Sequence, residues 1–159
     1  MYQRIFVPID TSDTSSAVLE EVRRLASESQ ARVYLVKIVD AAQFAESPGE
    51  LIHELRESEK LRQDDGKHAS LLRFLEESAV RLRSAGIVVE TRLIEKFGGT
   101  IAHVILDEAM SWKADLLVMG THGRSGLAHV LLGSVAEEVL HHTTIPMLLV
   151  KLAADESDD

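Results

Sequence analysis

The chain repeats one alternation: a short apolar run, then a longer segment whose apolar residues recur every three or four positions. Ile5, Phe6, Val7 and Ile9 stop at Asp10; Val33, Leu35, Val36, Ile38 and Val39 stop at Asp40. Ile87 to Ile94 follows, then Leu116, Leu117, Val118 and Met119 stop at Gly120, and Met147 to Val150 closes the series after Pro146. Such near-continuous apolar runs suit strands covered on both faces. Between them, Val18, Val22, Leu25 and Ala26 step at helical spacing, as do Leu72, Leu75, Ala79 and Leu82, and then Ala102, Ile105, Ala109 and Trp112. A further helix lies around Val135 to His142. Thr11, Ser12 and Asp13 offer caps for the first helix, and Gly86 is a stop signal after the second. Strands alternating with helices of ten or more residues pair in parallel through right-handed crossovers. The expected fold is therefore α/β: one domain, an open parallel sheet of five strands, and helices on both faces.

In such sheets ligands bind beyond the carboxyl ends of the strands, where the winding reverses. Asp10, Asp40 and Gly120 all fall there. Asp10 is placed either to meet a ligand hydroxyl or hydrated cation or to cap the following helix, with the first role ahead; Asp40 reads as a turn residue. Ile101, Ile105 and Trp112, like the leucine stripe from Leu72 to Leu82, read as core.

Composition removes several classes of function. The 159 residues contain no cysteine, so disulfides, thiolate metal sites and cysteine nucleophiles are excluded, and a reducing compartment, the cytoplasm, is the default. Seventeen basic and twenty-six acidic residues give a formal charge of -9, which opposes non-specific binding to nucleic acid or anionic membranes. The first ten residues lack the long apolar stretch of a secretion signal, and no run approaches the ~20 apolar residues of a membrane span. The seven histidines show no paired metal spacing. G-x-S-x-G fails because Leu127 stands where glycine is needed, and neither G-x4-G-K-[ST] nor G-x-G-x-x-G is present.

Chemistry concentrates after the fourth apolar run, where Gly120 is followed by Gly123 and, after nine intervening residues, by Gly133-Ser134. Glycine lets a backbone approach an anion closely, and Ser134 stands where a helix begins, with N–H groups and the helix dipole favouring negative charge. This is a phosphate-holding arrangement. Ordinary turn and capping roles are the alternative for each glycine taken singly. Arg124 either neutralises phosphate or is simply solvated.

The G-x2-G-x9-G-[ST] spacing at Gly120, Gly123, Gly133 and Ser134 resembles the ATP-binding branch of the universal stress protein family. So does the wording from Asp115 to Gly126, and the similarity extends from Val7-Pro8-Ile9-Asp10 to Ile145–Val150. The resemblance implies a Rossmann-like sheet of strand order 3-2-1-4-5 and a homodimer, with the exposed edge of the final strand as a physical motive for pairing. It places adenine near Pro8, Ile9 and Val39, and Asp10 near the ribose or a phosphate-bound magnesium ion. Met119, Gly120, Gly123, Arg124, Ser125, Gly133, Ser134 and Val135 carry over as the remaining nucleotide contacts. Thr11 departs from the glycine that commonly follows the aspartate. The domain then spans residues 1–152, with a polar insert at 41–67 that is a solvated helix face or a lid, and an acidic tail at 153–159.

The resulting expectation is a cytoplasmic, ATP-binding stress-response regulator. It lacks a dedicated catalytic set, so it is not an enzyme beyond slow ATP hydrolysis. A nucleotide-free dimeric scaffold and an ATP-using transferase are the alternatives.

Overall fold

The computed structural model describes residues 1–12, 14–43, 66–121 and 132–151. Five strands form one parallel sheet: β1 (Arg4–Pro8), β2 (Arg32–Asp40), β3 (Val89–Lys96), β4 (Leu116–Gly120) and β5 (Met147–Val150). Their order is β3-β2-β1-β4-β5, as the resemblance implies. Among the described residues four α-helices accompany them: α1 (Thr14–Ser29), α2 (Gly66–Arg83), α3 (Ile101–Ser111) and α4 (Ser134–His142).

The strand alternation divides one core into two layers. Ile5 and Val7 of β1, Val33 and Leu35 of β2 and Val118 of β4 face α1 and α2, meeting Val18, Val22, Ala79 and Leu82. Phe6, Tyr34, Val36, Leu117 and Met119 point the other way, toward Ala102, Ile105 and Ala109 of α3 and Ala136 and Val139 of α4. The central strands β1, β2 and β4 are covered on both faces, which is why their apolar runs do not alternate, whereas the edge strand β3 carries Glu90, Arg92 and Glu95 at half-buried or exposed positions.

Two expectations are corrected here. Leu72 is 45% exposed, whereas α2 buries Leu75, Ser78, Ala79 and Leu82. At about 100° per residue Ser78 lies nearer the centre of that face than Leu72 does. Its hydroxyl is satisfied locally, donating to Phe74 O at 2.8 Å. The third strand, expected over Ile87 to Ile94, begins two residues later, at Val89, and continues through Glu95 to Lys96. Ile87 instead closes α2: its N–H donates to Leu82 O and that of Gly86 to Arg83 O, with Gly86 at φ +80°. That is the left-handed glycine ending of a helix.

Asp115 fastens the amino-terminal end of the sheet. Its carboxylate accepts the backbone N–H groups of Gln3 and Arg4, each at 2.9 Å, and its own N–H donates to Arg4 O at 3.0 Å. The Arg4 guanidinium lies 4.2 Å from the centre of the Trp112 ring and donates through Nε to Trp112 O at 2.8 Å. Trp112 is the half-buried cap of α3, with its ring 5.2 Å from Tyr34.

At the opposite end the sheet opens. β1 pairs with β2 from Arg4 to Pro8, but with β4 only at Ile5↔Leu116 and Phe6↔Leu117. Pro8 has no N–H to donate, so the ladder toward β4 cannot be extended through it. β4 continues against β5 as far as Gly120↔Val150. β1 and β4 thus part beneath their carboxyl ends, at the reversal of winding, and a crevice opens between them.

Candidate functional site

The crevice is a cavity of about 330 Å³, within the range of roughly 300–1,000 Å³ usual for small-molecule sites. Its floor is made by strand ends: Pro8 of β1 with Ile9 and Asp10 after it, Lys37, Ile38 and Asp40 of β2, and Met119 and Gly120 of β4 with Thr121 after them. Ser12, Ser15 and Val18 form a wall at the start of α1, Ile101 and Ile105 form another on α3, and Gly133 to Ala136 complete it at the start of α4.

These walls differ in chemistry. Ile38, Ile101 and Ile105 make an apolar end. At α4, Gly133 is the N-cap and makes no side-chain capping bond. Glu137 N–H is the first to close onto the helix, at Gly133 O. Helix geometry therefore leaves the N–H groups of Ser134, Val135 and Ala136 to partners outside the ladder, at the positive end of the dipole. Gly133 N–H itself donates to Thr121 O at 2.6 Å, and Thr121 N–H donates to Val150 O at 3.0 Å. The chain thus leaves the floor at Thr121 and returns beside it at Gly133. Gly120, Gly133 and Ser134, separated in sequence, share one rim.

Asp10 both lines the cavity and organises the turn into α1. Its Oδ1 accepts Ser12 N–H at 2.9 Å and the Ser12 hydroxyl, while the Ser15 hydroxyl bonds Asp10 O and lies 3.2 Å from Oδ1. The side chain that builds this turn also lines the cavity.

Asp40 forms the second acidic position on the lining. Lys96 Nζ lies 2.8 Å from its Oδ2, and Ala42 N–H donates to Oδ1 at 3.1 Å. The Lys96 hydrogen bond holds the Asp40 carboxyl below its ordinary 3.8, against the opposing effect of partial burial, with the Ala42 N–H adding to the lowering. Lys96 is only 6% exposed.

Of the positions proposed from sequence, Pro8, Ile9, Asp10, Met119, Gly120, Gly133, Ser134 and Val135 converge on this one cavity. Val39 is buried but is not part of the lining; its neighbours Ile38 and Asp40 are. Gly123, Arg124 and Ser125 lie outside the described residues. Thr11 is exposed and is not part of the lining.

Sequence reasoning passed over Lys37, Ile38, Thr121 and Lys96, and took Ile101 and Ile105 for core alone. Lys37, 6% exposed, was the legible one, because a cation inside an otherwise apolar strand interrupts the pattern. Among the described residues no helix is long and apolar enough to cross a membrane.

Comparison with known proteins places this geometry. The model of the universal stress protein family matches residues 1–151. Universal stress protein MJ0531 of Methanocaldococcus jannaschii is 35% identical over 151 residues, covering 95% of this chain and 83% of that protein. The structure of MJ0577, from the same organism, superposes with a TM-score of 0.77 at 25% identity, covering 96% of this chain and 98% of that one. A universal stress protein solved in complex with cAMP has a TM-score of 0.63 and 27% identity, covering 94% of this chain and 97% of its own. With the family model spanning the sheet from β1 to β5 and the strand order in agreement, the chain belongs to the universal stress protein family.

Proposed function

We propose that the cavity binds an adenine nucleotide, ATP in the first instance, and that the chain is a cytoplasmic stress-response regulator whose behaviour depends on nucleotide occupancy. The observation that carries this reading is the start of α4. Its first N–H groups open onto the same cavity as the apolar surface of Ile38, Ile101 and Ile105, so one site offers an anion-binding end and a base-binding end. The relative solved with cAMP supports an adenine nucleotide in this fold.

Asp10 and Asp40 are the carboxylates on the described lining, and Asp40 is tied to Lys96, which leaves Asp10 to meet a ribose hydroxyl or magnesium hydration shell. Among the described residues no three acidic or histidine side chains are grouped to hold a metal ion. Magnesium would therefore arrive with the phosphates, keeping several waters, and supply charge neutralisation there. The described lining offers hydroxyls, amides, the Lys37 cation and two carboxylates, Asp10 engaged in its turn and Asp40 paired with Lys96, a set suited to holding phosphate. Hydrolysis on this reading is at most slow.

Calorimetry with ATP and magnesium, together with mass spectrometry of ligand released from gently purified protein, tests the proposal. Saturable heat and an adenine nucleotide in the released fraction are expected, with binding weakened by Gly133→Val. No such ligand and no heat at millimolar ATP would refute it. The edge strand β5, half-buried from Met147 to Val150, favours a homodimer paired through that strand, and in the absence of nucleotide binding it favours a dimeric docking scaffold. Light scattering distinguishes dimer from monomer.

A further inference from the structure

Lys96 is a buried cation whose three ammonium protons all have acceptors. Nζ lies 2.8 Å from Asp40 Oδ2, 3.0 Å from Gly99 O and 3.4 Å from Gly98 O. Asp40 and Lys96 are register partners at the ends of β2 and β3. Gly98 and Gly99 have φ of +73° and +66°, with open space where a Cβ would stand. Their glycine requirement is therefore conformational: two successive left-handed residues turn the chain so that both carbonyls meet the ammonium. Thr100 follows as the N-cap of α3, accepting His103 N–H, and Ile101 then lines the cavity. On the other side, Ile38 lies two residues before Asp40. One lysine thus ties the β2 end that carries Ile38 to the turn that launches Ile101 and Ile105.

We propose that Lys96 is a positioning residue for the base end of the cavity, fixing the separation between the Ile38 wall and the Ile101–Ile105 wall into which a purine inserts. The inference rests on the nucleotide reading and deepens it. Lys96 acts through Asp40 and the Gly98–Gly99 turn, while the phosphate end at α4 is built without it. Base binding and phosphate binding therefore depend on different residues.

Calorimetry with adenosine and with ATP tests this on the full chain and on Lys96→Met, Lys96→Arg and Asp40→Asn, each checked for cooperative melting. Lys96→Met is expected to weaken adenosine and ATP by the same factor, about tenfold, as for loss of a coupled salt-bridge network. Lys96→Arg, which keeps the charge and donors, is expected to stay within about fourfold of the parent. Unchanged adenosine affinity in folded Lys96→Met overturns the proposal. So does a loss confined to ATP, which would put the lysine at the phosphates, or a loss in Lys96→Arg as large as in Lys96→Met, which would show that neither the charge nor its donors carry the effect. Where Lys96→Met fails to fold, Asp40→Asn, which keeps the glycine contacts, is expected to lose about threefold for both ligands; unchanged binding there overturns the proposal. A parent protein that binds neither adenosine nor ATP refutes the nucleotide reading itself, and this inference with it.

Discussion

Replacing Asp115 by alanine removes both acceptors that hold the first two backbone N–H groups entering β1. The bonds are of equal length, 2.9 Å, but differ in setting: that to Gln3 is exposed, while that to Arg4 is partly buried. A hydrogen bond to a charged group is worth about 1.5–3 kcal/mol when shielded, and stranding a partly buried N–H costs a comparable amount. Assigning the lower figure to Arg4 and about 0.5 kcal/mol to water-competed Gln3 gives a loss of about 2 kcal/mol. With a urea slope of roughly 2 kcal/mol per molar, the unfolding midpoint falls by about 1 M. Asp115→Asn keeps one acceptor and is expected at about half that shift. Equilibrium urea unfolding followed by circular dichroism reads both. A midpoint within about 0.2 M of the parent for Asp115→Ala would show that Arg4 O, Trp112 O and the cation–π contact hold this end without the carboxylate.

Leu82→Ala, at a site 1% exposed between α2 and the sheet, is expected to cost about 3 kcal/mol, whereas Leu72→Ala stays within about 0.5 kcal/mol; similar losses in urea unfolding would contradict the assigned face. The lowered Asp40 carboxyl contributes stability that is complete above its ordinary 3.8 and is lost as pH falls through the still lower folded value. The stability gap between the parent and Asp40→Asn should therefore be constant near neutrality and narrow below that pH. A gap independent of pH would dissociate the pair from stability.

The parts of the fold legible in sequence were those written in short-range pattern. β5 appears at its expected residues, and Asp10, Asp40 and Gly120 stand at strand ends because apolar runs stop where a strand leaves the core. Gly133-Ser134 opens a helix as its composition indicates. Less legible was whatever depends on the angle at which one element meets another. Leu72 fits the helical spacing as well as Leu75 does, yet α2 is rotated to bury Ser78. Ile38 and Val39 are equally apolar neighbours, and only the strand's orientation brings one of them to the cavity. The Asp40–Lys96 pair joins residues 56 positions apart through strand register, and β3 offered no apolar signal for its last two residues. Ile101 and Ile105 read as core because a cavity wall and a packed interior ask for the same side chains.

The short ladder between β1 and β4 has a thermodynamic consequence. Only two ladder pairs join the half of the sheet containing β3, β2 and β1 to the half containing β4 and β5, besides the Asp115 bonds at the amino-terminal end. A molecule lodged beyond them touches both halves and takes the place of the missing rungs. Its chemical potential then enters the folding equilibrium directly: at a free concentration a hundredfold above its dissociation constant, the folded state gains about 2.7 kcal/mol. The concentration of such a solute would thereby set how stably the two halves of the sheet stay together.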